Sequence, residues 1–96
     1  MQLEFKDYTQ KPCKGSAAIE FIPKKNKRID LERTFAVLMD CSEISIEAQT
    51  PRMLLLKCNS CTVSFFGSGK VLVRNAKNDK QAKTAIKTLL KCIAKV

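Results

Sequence analysis

The sequence predicts an α+β fold: one curved antiparallel sheet of about five strands with two helices packed on one of its faces. Three observations carry that expectation. A single strand pattern and a capped helix come first, four short strand patterns with brief connectors follow, and an amphipathic helix comes last. The chain's 96 residues, 45% of them apolar, suit one folded unit over 1–96 with a single core.

In "GSAAIEFIP", Ala17, Ile19 and Phe21 fall on one face and Ala18, Glu20 and Ile22 on the other, the alternation of a strand half-buried against a core. Pro23 ends it, and "KKNKR" makes a loop. "DLERTFAVLMD" then reads as a helix of roughly two to three turns. Asp30 supplies its cap, and Leu31, Phe35, Leu38 and Met39 recur at helical spacing. The strand patterns "EISIEA", "RMLLLKC", "TVSFF" and "KVLVRNA" are joined by "QTP", "NS" and "GSG", connectors short enough for an antiparallel meander. In "NDKQAKTAIKTLLKCIAKV", Asn78 caps a helix and Gln81 stands three residues on, as in a capping box. Ala82, Ala85, Ile86, Leu89, Leu90 and Ile93 form its apolar stripe. Among residues 1–14, Leu3 and Phe5 alternate with polar residues, which is compatible with an extra edge strand or a tail.

Charge divides the chain. Residues 1–47 hold eight Lys/Arg and eight Asp/Glu, whereas residues 48–96 hold ten Lys/Arg against Asp79 alone, so the whole excess of +9 lies in the second half. Such a one-sided field suits an anionic partner, with nucleic acid first and a solvated surface as the bland alternative. Apolar runs fall short of the roughly 20 residues of a membrane span, and "MQLEFKDYTQ" lacks a signal-peptide pattern. A cytoplasmic protein is therefore expected, and its five cysteines are expected as reduced thiols.

The stretch "TVSFFGSGKVLVRNAKNDKQAK" resembles one repeat of the TATA-binding protein core: a strand ending in phenylalanine, a Ser-Gly-Lys turn, an apolar strand and a long basic helix. Upstream, "IDLERTFAVLM" resembles the repeat's short helix, "TPRMLLL" the start of its next strand and "AAIEFIP" its first strand, so the likeness covers roughly residues 16–96. It implies half of a saddle-shaped sheet, a TBP-half-like fold. The family's core carries two repeats in tandem and this chain holds one, which would leave the first strand as an unpaired edge. A homodimer through the edge running from Gly15 to Pro23 is the expected remedy.

Strand parity puts Ser64 and Phe66 on one side and Val63 and Phe65 on the other. The resemblance implies that Phe66 wedges between base steps of a minor groove and that Met53 takes the place of a second wedge, with Leu55, Lys57, Ser64, Leu72 and Arg74 on the same open face. Parity also places Glu20 and Glu47 there, which against Lys57 and Arg74 leaves that face without net charge. Lys80, Lys83, Lys87, Lys91 and Lys95 form a second basic surface along the last helix, with Lys70 and Lys77 close to its start. Lysine favours loose phosphate contact over base reading, so binding through that surface should be sequence-tolerant.

The expected function is thus a nucleic-acid-binding module, double-stranded DNA before RNA, with an architectural or transcription-regulatory role. The alternative is a protein-interaction or accessory module that uses the open sheet face. "CNSC" places Cys58 and Cys61 at the spacing of half a zinc site or a redox pair, but a hairpin turn flanked by small apolar residues explains it more simply. Histidine is absent, carboxylates are scattered and "GSGK" lacks the phosphate-loop spacing, so neither catalysis nor a cofactor is expected.

Overall fold

The computed structural model describes residues 5–12, 18–25, 28–58 and 60–93. Leu3, Cys13, Gly15, Ser16, Ala17 and Lys95 lie outside them, as do Asn26 and Lys27 of the "KKNKR" loop and Asn59 of "CNSC". The strands are β1 (Tyr8–Pro12), β2 (Ile19–Pro23), β3 (Ile44–Gln49), β4 (Met53–Cys58), β5 (Cys61–Phe66) and β6 (Val71–Arg74). The helices are α1 (Leu31–Met39) and α2 (Asp79–Ile93).

Among the described residues the strands make one antiparallel sheet in the order β1-β2-β6-β5-β4-β3. The meander pairs neighbour with neighbour from β3 to β6, and β2 returns alongside β6. Period-two alternation then sends Phe21, Leu54, Leu56, Val63, Phe65, Val71 and Val73 to one side, where each is fully buried. Ala82, Ala85, Ile86, Leu89 and Ile93 of α2 and Leu38 of α1 close the core over them. The fold is the predicted α+β arrangement, with six strands where about five were expected.

Both helices start where their caps dictate. The Asp30 carboxylate accepts from the backbone N–H groups of Glu32 and Arg33, at 3.1 and 3.2 Å. At α2 the Asn78 side chain accepts from the Gln81 N–H at 2.8 Å, and the Gln81 side chain accepts from the Lys77 N–H at 2.6 Å. The reciprocal bond therefore reaches one residue further back than a standard capping box.

The additional strand overturns the expected dimer edge. β2 is not an edge: β1 pairs with it over five positions, from Tyr8 opposite Pro23 to Pro12 opposite Ile19, while β6 takes its other side. A short helical turn at Phe5–Asp7 precedes β1, so the strand begins later than the Leu3 and Phe5 pattern suggested. The anchor is Tyr8, which is buried and donates its hydroxyl to the Gly69 carbonyl at 2.6 Å. Gly69 sits at φ 91°, a left-handed conformation that glycine adopts without steric penalty, and a Cβ there would also crowd Pro23 at 3.4 Å.

Two further expectations are corrected. Met39 shares the helical spacing of Leu31 and Leu38 but is 65% exposed, because its direction on α1 lies about 100° from the centre of the buried face. Thr34 holds that face instead, fully buried with its hydroxyl donating to the Asp30 carbonyl at 2.9 Å. The cysteines are not all thiols either: Cys41 and Cys92 form a disulfide across 51 residues of sequence, because the C-terminal ends of α1 and α2 converge on the same side of the sheet. No helix among the described residues is long and apolar enough to cross a membrane.

Candidate nucleic-acid interface

The helices leave the other side of the sheet uncovered, and strand register arranges its side chains in rows. One row crosses all six strands: Ala48, Leu55, Ser64, Leu72, Glu20 and Lys11 are successive cross-strand partners. Ser64 is small and buried between Leu55 and Leu72, so this row is an apolar trough with a charged end. Beside it run Met53 and its partner Phe66, both half-buried. On the other flank Ser45 pairs with Lys57, Lys57 with Thr62 and Thr62 with Arg74. Asn75, held at φ 63°, donates from its side-chain amide to the Thr62 hydroxyl at 3.2 Å.

All seven sheet residues named from the sequence, Met53, Leu55, Lys57, Ser64, Phe66, Leu72 and Arg74, are brought together on this face. Lys70 also lies here, not at the start of the α2 stripe as expected. Its ammonium stands 4.7 Å from the Phe66 ring centroid and 3.1 Å from a Glu20 carboxylate oxygen. The turn at residues 67–70 causes this, because the Phe66 N–H donates to the Lys70 carbonyl and folds the lysine back over the ring. Both ionic side chains are partly exposed, so the pair contributes at most about 1 kcal/mol.

Lys11 was not named because the extra edge strand read for residues 1–14 rested on Leu3 and Phe5 and came with no register that would give Lys11 a face. With Lys11 and Lys70 added, four cations (Lys11, Lys57, Lys70 and Arg74) face two carboxylates, counting Glu47 as the extra residue of the bulge between Ile46 and Ala48. The open face is therefore cationic, not neutral as parity alone implied. Lys77, Lys80, Lys83, Lys87 and Lys91 are exposed in a separate group, before and along α2.

A family model described as Transcription factor TFIID (or TATA-binding protein, TBP) matches residues 24–96. The chain belongs to that family. Within the TATA-binding protein family it represents one repeat, and the matched segment contains α1, β3 to β6 and α2, with β1 and β2 before it. Membership makes it a module of a DNA-binding, transcription-related family. Comparison with curated proteins and with solved structures finds no match.

Cys58 and Cys61 are a cross-strand pair at the β4–β5 turn, and both thiols are buried on the helix side, away from the open face. Burial, helped by Cys61 and Glu43, pushes the Cys58 thiol up to about 11 and outweighs a bond from Thr88; burial also raises Cys61. Iodoacetamide at pH 8 should thus label neither residue in the folded protein and both in denaturant, read by peptide mass spectrometry. Rapid labelling of the folded state would show that the β4–β5 turn opens.

Proposed function

We propose that the open face binds double-stranded DNA from the minor-groove side, with little sequence preference, in an architectural or transcription-regulatory role. The observation that carries this reading is the trough of Leu55, Ser64 and Leu72, flanked on one side by Met53 and Phe66 and on the other by Lys57 and Arg74. Apolar side chains in the middle can press against a groove floor or part a base step, and cations at the margins can meet phosphates. Lys70 gains a second role here. Moving from Glu20 to a phosphate uncovers the Phe66 ring as it neutralises the backbone.

Anisotropy of a labelled A·T-rich duplex, titrated at several salt concentrations beside a G·C-rich control, tests the proposal. Binding should weaken steeply with salt, and Phe66→Ala should weaken it by roughly tenfold and reduce bending while leaving the salt slope intact. Glu20→Gln removes a carboxylate from the face and releases Lys70, so its affinity should rise severalfold at low salt. Absence of binding at low salt would refute the DNA reading and favour the same half-buried Met53, Leu55, Phe66 and Leu72 as a protein-docking surface.

A further inference from the structure

We infer that α2 carries a second phosphate-binding surface, so that a single copy of the chain bridges two separate DNA segments; this rests on the open face binding one of them. Ala82, Ala85, Ile86, Leu89, Leu90 and Ile93 of α2 are buried against the sheet, and at about 100° per residue Lys80, Lys87 and Lys91 fall on the opposite side of the helix, with the exposed Lys83 on the adjoining flank. That side points away from the sheet. The lysine stripe and the open face thus look in opposite directions, with the sheet and the core between them, and a straight duplex lying on the open face does not reach α2.

The stripe has the chemistry for a sugar-phosphate backbone. Its lysines recur once per helical turn, and each four-residue step rises about 6 Å. Every second phosphate of one DNA strand advances by about 6.8 Å along the duplex, so successive lysines keep nearly in step with alternate phosphates. Lys77 extends the group before the helix begins. Asp79 is the one acid in residues 48–96, and at the first position of α2 it suits the helix dipole. The other end differs: Lys91 lines a cavity of about 450 Å³ together with Asp40 and Glu43. The strongest positive field therefore lies at the first turns, around Lys77, Lys80 and Lys83.

A bead-bound A·T-rich duplex, loaded with the full chain and then offered a second, fluorescent duplex, tests the inference. The wild type should retain the fluorescent duplex, with a logarithmic salt slope for that capture near −3 if about three phosphates are met. Lys80→Glu combined with Lys83→Glu should bind the first duplex within about twofold of wild type and lose at least tenfold of the capture. Both residues are exposed, so circular dichroism of the variant should be unchanged.

First-duplex binding with no capture by the wild type overturns the bridging surface and leaves the open-face reading standing. Capture undiminished in the double variant assigns bridging to some other surface and overturns this one. Retention of poly-glutamate in place of a second duplex assigns the stripe to an acidic protein and likewise overturns the inference. Loss of first-duplex binding in the double variant, with Phe66→Ala unaffected, puts the primary site on α2 and overturns both readings.

Discussion

Cys41→Ser, or reduction of the Cys41–Cys92 disulfide in the wild type, is expected to lower the unfolding free energy by about 4 kcal/mol. The disulfide closes a loop of 51 residues that includes β3, β4, β5, β6 and most of α2. On the loop-entropy model a closure of that length restricts the unfolded chain by about 4 kcal/mol, and natural disulfides of small domains contribute about 2–5 kcal/mol when removed. Cys41 is the better position to replace because it is half-buried, whereas a serine at the buried Cys92 would also place a hydroxyl among apolar neighbours. Urea melts with and without dithiothreitol should show the midpoint falling and the slope rising, since the released chain exposes more surface. Dithiothreitol should then leave the Cys41→Ser melt unmoved. DNA affinity measured well below the transition should persist in both, because the disulfide lies on the helix side and the proposed contacts lie on the other. A loss of less than about 1 kcal/mol would mean that the reduced unfolded chain keeps residual structure across this loop.

Local periodicity explains how much of this was readable in the sequence. The alternation in "TVSFF" and "KVLVRNA" places Phe65, Val71 and Val73 in the core and Phe66, Leu72 and Arg74 outside, because a strand facing one core must alternate. The caps at Asp30 and Asn78 are equally local, so the starts of α1 and α2 were legible. What failed depends on neighbours distant in sequence. β1, "YTQKP", has Tyr8 as its one large apolar residue and gives almost no hydrophobic pattern; it is a strand because β2 offers it an unpaired edge and Gly69 offers a carbonyl to the phenol. The disulfide joins two helix ends that become neighbours only after the sheet forms. Lys70 belongs to the Phe66 ring and Glu20 because a tight turn reverses the chain, which no periodic template describes. Residues 1–14 were read as an extra edge strand or a tail, and three placements follow from the first of these: the sixth place in the sheet, the position of Lys11, and the closure of β2 against a second copy.

Removing residues 1–12 should convert the protein into a dimer that forms through β2. In the full chain β1 satisfies the backbone groups along that side of β2, and the outer edges resist further pairing for identifiable reasons: β1 is short, with Lys11 and Pro12, and β3 carries a bulge beside Glu47. Deletion uncovers a strand, Ile19–Pro23, that has neither a lysine nor a bulge in its described residues, and a two-fold axis beside it would pair β2 with its own copy. Loss of the Tyr8 ring and its hydrogen bond should cost the monomer about 3 kcal/mol. Light scattering at tens of micromolar should then read twice the monomer mass for the truncated chain and the monomer mass for the full one. Tyr8→Ala, which loosens β1 without removing it, should give a concentration-dependent mixture. Alkaline pH offers a third route. Burial, with Asp7 adding to it, raises the Tyr8 phenol above its ordinary value near 10, so its contribution is complete below pH 10 and declines as pH rises beyond that. A truncated chain that stays folded and monomeric at high concentration would mean that the β2 edge does not pair with itself, and that β1 is not what keeps this repeat single.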